Sequence, residues 1–180
     1  MTVRLLAFTD RGYALAQTLA AALDGQAARC GAPQGLAEWT AAAWKESQAL
    51  VFVGAAGIAV RAIAPHVKSK TEDPAVVVVD ECGHFAVPIL SGHLGGANDL
   101  ARRIAGVCGA TPVLTTATDA NSVFAVDEWA RRQNCRVLNP KAIKTVSSAV
   151  LAGKTVRVYS PWPIAGQPPE HVEQTAGAER

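Results

Sequence analysis

The segment of this 180-residue chain best equipped for chemistry is Ser91-Gly-His-Leu-Gly-Gly-Ala-Asn-Asp99. A histidine that titrates near neutral pH can act as general base on a water molecule. Glycine amides beside it, here Gly95 and Gly96, can hold a developing oxyanion. His93 is therefore a candidate base, and a loop histidine that only makes hydrogen bonds is the competing reading. Asp99 falls in a helical first turn, where a carboxylate also serves the helix dipole, and Asn98 can be a simple cap. Ser91 is not on a nucleophile elbow, because a G-x-S-x-G motif needs glycine where Ile89 and His93 stand.

Further candidates lie nearby. Gly54 and Gly57 sit between a buried strand and a helix, where backbone amides favour anions. Tight strand-to-helix packing explains the same glycines equally well. Lys68 and Lys70, in a polar loop, can meet anionic groups or be plain solvated charge. Thr115-Thr-Ala-Thr-Asp119 is another polar loop after a short strand, and Asp127 and Glu128 read as surface acids at a helix start. Asp80, Glu81, Cys82 and His84 add reactive side chains, with a structural role favoured for His84. A metal site from Cys82, His84 and His93 matches no standard zinc spacing, so none is expected.

The elements that must position these residues alternate regularly. Val3–Phe8, Ala49–Val53, Ala75–Val79, Phe85–Ile89, Pro112–Leu114, Arg136–Leu138 and Thr155–Tyr159 read as strands. Helical spacing follows Tyr13 and spans Leu36–Glu46, the segment carrying Ile58 to Ala64, Gly95–Val107, Val123–Gln133 and Pro140–Leu151. This pattern predicts an α/β fold: a doubly wound, mostly parallel sheet with helices on both faces, followed by a short second α/β segment. The expected organisation is a domain over 1–121, the start of a middle region over 122–160 and a flexible proline-rich tail over 161–180. In such sheets ligands bind outside the carboxyl ends of the strands. That places Thr9–Gly12, Gly54–Gly57, Ser91–Asp99 and Thr115–Asp119 as candidate site loops.

Composition narrows the classes. A net charge of +2 with no basic stripe argues against nucleic acid. Four scattered cysteines without a C-x-x-C pair, and a start lacking a signal-peptide pattern, suggest reduced thiols in a cytoplasmic protein. No apolar run is long enough to cross a bilayer. A nucleotide- or flavin-binding domain follows from fold class alone, and neither G-x-G-x-x-G nor G-x-x-x-x-G-K-[ST] is present to support it.

Several stretches resemble one family. They are Val51–Arg61, Ala64–Lys70, Pro74–Asp80, Phe85–Asp99 and Thr115–Asp119, with the run through Ser91-Gly-His-Leu-Gly-Gly-Ala-Asn98 the most specific. All resemble the N-terminal region of the CbiG family, the cobalt-precorrin-5A hydrolases of anaerobic cobalamin biosynthesis. Phe124–Trp129 and Asn139–Lys144 resemble the start of its middle region. The resemblance implies that a δ-lactone on a cobalt-bearing tetrapyrrole is opened and a two-carbon fragment leaves as acetaldehyde. Cobalt then arrives with the substrate, and no further cofactor is implied. His93 would be the base, Asp99 or Asp119 would orient His93 or the water, and Gly95 and Gly96 would help hold the oxyanion. Gly54, Gly57, Lys68, Lys70, Ser91, Gly92, Asn98, Thr115 and Thr116 would contact the substrate. Full-length members continue into a separate C-terminal domain, so this chain is either a piece of such a protein or a split or shortened member whose expected partner is a second polypeptide supplying that domain. The alternative is a tetrapyrrole-binding part that needs that domain for turnover.

Overall fold

Strands β1 (Val3–Ala7), β3 (Ala49–Val53) and β4 (Ala75–Val79) are built almost wholly from apolar residues, and all but Arg4 are buried. Such runs suit a parallel sheet covered on both faces. The computed structural model describes residues 1–31, 34–164, 166–175 and 177, and its contacts divide the chain into two units, Met1–Leu114 and Thr115–Arg180.

In the first unit β2 (Gln26–Arg29) joins β1, β3, β4, β5 (Phe85–Leu90) and β6 (Thr111–Pro112) in the order β2-β1-β3-β4-β5-β6. The pairings are parallel except β4 with β5, which is antiparallel. Side chains alternate between faces with a period of two. On one face Leu5, Val51 and Val77 pack with Ala16 and Leu19 of α1 (Asp10–Leu23) and with Leu100 and Ile104 of α4 (Ala97–Cys108). On the other, Leu6, Phe52 and Val78 pack with Trp39 of α2 (Leu36–Glu46) and Ala59 and Ile63 of α3 (Ala56–Ile63). The Trp39 and Phe52 rings meet edge to face, 5.7 Å between centroids. The sheet is therefore mostly parallel with helices on both faces. β2 escapes a reading by β-propensity because Gln-Ala-Ala-Arg has no branched or aromatic residue; its pairing with β1 decides.

The second unit contains α5 (Ala117–Ala120), α6 (Val126–Arg132), α7 (Pro140–Leu151) and two parallel strands, β7 (Val156–Tyr159) and β8 (Val172–Thr175). Two expectations change here. Arg136–Leu138 forms no strand: among the described residues it pairs with no neighbour, and Leu138 is 91% exposed. The segment read as a flexible tail contains β8, whose partner β7 lies too far along the chain for local sequence to announce it. Residues 165, 176 and 178–180 of that segment lie outside the described residues. Among the described residues, no helix is long and apolar enough to cross a membrane.

Candidate functional site

The direction of β5 decides which loops can work together. Residues 80–84 close a tight turn after β4, far too short for the crossover that a parallel strand requires. The Asp80 carboxylate fixes this turn, accepting hydrogen bonds from the Cys82 amide (2.9 Å) and the Phe85 amide (2.7 Å), while Gly83 takes φ +73°. Burial pushes the Asp80 carboxyl up, but the Phe85, Cys82 and His84 amides, helped by the His84 charge, hold it below its ordinary value. β5 therefore runs back along β4, and Leu90 pairs with Val76 near the start of β4.

Consequently Ser91–Asp99 lies at the sheet edge where β4 begins. Thr9–Gly12 and Gly54–Gly57 lie at the opposite edge, where β1 and β3 end. A five-residue strand at about 3.3 Å per residue separates the two edges by roughly 16 Å. Gly54 and Gly57 are thus not grouped with His93, a correction to the expectation that all four loops share the carboxyl ends of parallel strands. Gly54 has a local purpose: its amide donates to Val79 O (2.8 Å), and a Cβ there would fall 2.6 Å from the Phe8 ring. At that same edge Thr9 caps α1, its hydroxyl accepting from Gly12 N (3.0 Å) and donating to Glu81 Oε2 (2.7 Å).

What the structure does bring together is the histidine loop and the lysine loop. Ser91 is buried at φ +56°, an uncommon conformation for a residue with a side chain. Its hydroxyl donates to the carbonyl of Asp73 (3.0 Å). The buried Asp73 carboxylate in turn accepts from the amides of Lys68 (3.0 Å) and Ser69 (2.9 Å). One aspartate thus organises the turn carrying the exposed Lys68 and Lys70 and ties it to Ser91. Sequence reading passed over Asp73; the signal was an Asp-Pro pair directly before the clearest strand, where Asx turns are common.

The glycines of the loop are needed for close approach. A Cβ on Gly95 would collide with the Ser91 Cβ and lie 2.8 Å from the Ser91 carbonyl oxygen. One on Gly92 would lie 2.9 Å from Oδ1 of the buried Asn98. The loop's carbonyls already cap α4: Ala97 N donates to Ser91 O (3.2 Å) and Asn98 N to Gly92 O (3.0 Å). The Gly96 amide donates to His93 O (3.1 Å), so it is not presented to an oxyanion in this conformation. Asp99 forms an ion pair with Arg102 one turn along α4 (2.9 Å). His93 itself is half-buried.

Thr115, Thr116 and Asp119 belong to the second unit. There the Thr116 hydroxyl donates to the Asp119 carboxylate at the start of α5. Cys30, Cys82, Cys108 and Cys135 are all free thiols.

Residues 38–119 match the family model of the cobalamin synthesis G N-terminal region, and residues 124–177 match that of the cobalamin biosynthesis central region. The chain belongs to the cobalamin synthesis G family. The cobalt-precorrin-5A hydrolase of Salmonella typhimurium is 40% identical over a match covering 88% of this chain and 48% of that protein. The cobalt-precorrin-5A hydrolase of Priestia megaterium is 38% identical, with 61% of this chain and 29% of that protein covered. The chain therefore spans at most about half the length of these curated relatives. Among solved structures, a cobalamin biosynthesis protein G homolog from Sulfolobus solfataricus has the same fold, with a TM-score of 0.61 and 24% identity, over 99% of this chain and 57% of that one. The family's motif-rich N-terminal region thus contains both the His93 loop and the Lys68–Lys70 loop.

Proposed function

We propose that this chain takes part in opening the δ-lactone of cobalt-precorrin-5A and releasing acetaldehyde during anaerobic cobalamin biosynthesis, in the cytoplasm. The observation that carries this reading is the joined pair of loops at one sheet edge, His93 beside its glycines and Lys68–Lys70 tied to Ser91 through Asp73. The names and identities of the relatives supply the reaction class.

The physical requirements fit that edge. A cobalt-precorrin carries several acetate and propionate carboxylates, and exposed lysines attract such groups without demanding one geometry. Lactone opening needs a base to take a proton from water as its oxygen adds to the carbonyl carbon. We assign this step to His93, whose imidazole can take a proton from water. The ring oxygen leaves with the bonding pair and is protonated, giving a carboxylate and an alcohol. Removal of the alcohol proton then breaks the adjacent carbon–carbon bond, acetaldehyde departs, and the conjugated macrocycle accepts the electron pair. Cobalt enters as part of the substrate. Among the loop amides, Gly95 is the candidate for the oxyanion, since Gly96 serves the His93 carbonyl. Asp99, paired with Arg102, shapes the first turn of α4.

The test is acetaldehyde release from cobalt-precorrin-5A by the purified chain, coupled to alcohol dehydrogenase, with optical titration of tetrapyrrole binding in parallel. Release supports a hydrolytic site within these residues. Binding without release assigns the chain a substrate-holding role, with turnover depending on parts its longer relatives carry beyond the matched half. Neither binding nor release overturns the reading.

A further inference from the structure

At the sheet edge opposite His93, the turn between β4 and β5 gathers three different donor side chains. A carboxylate oxygen of Asp80, the Cys82 sulfur and an imidazole nitrogen of His84 all lie within 4.8 Å of one another. They come from alternate residues of one short turn whose shape is fixed from several directions. The Gly83 amide donates to Asp80 O (2.9 Å), and the Cys82 and Phe85 amides hold the Asp80 carboxylate. Gly83 is buried against α1, where a Cβ would meet Leu15 at 3.4 Å. The backbone is thus rigid, while the donors face outward: Cys82 is exposed, the His84 side chain is 70% exposed, and Asp80 is half-buried.

We propose that Asp80, Cys82 and His84 form a binding site for a borderline divalent transition cation such as Zn²⁺, a site separate from the hydrolytic reaction assigned above. The donor set selects the class. Thiolate and imidazole favour Zn²⁺ and its neighbours in the transition series, whereas Mg²⁺ and Ca²⁺ require oxygen ligands throughout. Zinc binds sulfur at about 2.3 Å and imidazole nitrogen or carboxylate oxygen at about 2.0–2.2 Å, so small side-chain rotations close the cluster around an ion. The charges also match. A thiolate and a carboxylate together neutralise the divalent cation, the thiol proton passing to solvent as the ion binds, and the imidazole ligates through an unprotonated nitrogen. Three protein ligands leave the fourth tetrahedral position for water. A bound ion would pin the reversal that sets the direction of β5.

Titration of the full chain with Co²⁺, read by optical spectroscopy, tests the site, followed by displacement with Zn²⁺. The expected result is a one-to-one complex with a thiolate-to-cobalt charge-transfer band. That band is lost in Cys82→Ser and kept in Cys135→Ser, whose cysteine lies in the other unit. His84→Ala should weaken binding by about a hundredfold or more, since even outer-shell partners of metal ligands cost 10–100-fold. Absence of the band, its survival in Cys82→Ser, or equal affinity in His84→Ala overturns the proposal. A measurement on the unmodified chain avoids any folding defect of a variant. Zn²⁺ should slow iodoacetamide alkylation of Cys82, mapped by mass spectrometry, without slowing that of Cys135. Equal Cys82 rates with and without zinc also overturn it.

Discussion

His93 and Gly95 make separable predictions because His93 is the proposed base, whereas Gly95 offers a backbone amide at a point with no room for a side chain. Replacing His93 with Gln removes a base while keeping a polar side chain of similar reach. Turnover should fall by about a hundredfold or more, with the melting temperature nearly unchanged. A steady-state assay beside a thermal melt checks both. Gly95→Ala should lower stability as well as turnover. Its new Cβ collides with Ser91, which is already held at φ +56°, so the loop must shift. Overpacking of this kind typically costs about 1–3 kcal/mol, to be read from denaturant unfolding. At this scale the sequence displayed the glycines and the histidine plainly. It hid Asp73, because the hydrogen bonds that make Asp73 matter reach Lys68, Ser69 and Ser91, the last on another loop.

Among the elements, β5 is the instructive case. Its direction follows from the length of the connection 80–84, since a parallel crossover needs a dozen or more residues. That signal was present in the sequence; assuming that every strand end faced one crevice concealed it. The result separates Gly54 and Gly57 from His93 and brings Lys68 and Lys70 to the histidine's edge. If these lysines meet the substrate's carboxylates, changing both to Ala should weaken binding. Exposed ion pairs contribute about 0.2–1 kcal/mol each, so the loss should be roughly 2–30-fold and should shrink at high salt. Tetrapyrrole titration at two ionic strengths measures it. Gly57→Ala, at the far edge, should leave that affinity alone. β2 and the absent strand at Arg136–Leu138 show the limit of propensity: pairing with β1 makes a strand of Gln-Ala-Ala-Arg, and Arg-Val-Leu, with no strand partner among the described residues, stays irregular.

For the molecule as a whole, two apolar clusters on either face of one sheet account for the stability of the first unit. Phe52 is fully buried in the middle of the sheet against Trp39. Phe52→Ala should destabilise that unit by about 3–5 kcal/mol, seen as an earlier denaturant midpoint with an unchanged slope. The α/β class and the two-faced core were legible because continuous β-branched runs and helical periodicity are local signals. The β7–β8 pair was not, because it depends on contacts between distant segments. The central claim is that catalysis resides at the Ser91–Asp99 edge. It is tested most directly by single-turnover acetaldehyde release from cobalt-precorrin-5A, comparing the unmodified chain with His93→Gln. Release by the former and its near loss in the latter is the predicted result. Equal release by both, or none from either, would contradict the claim.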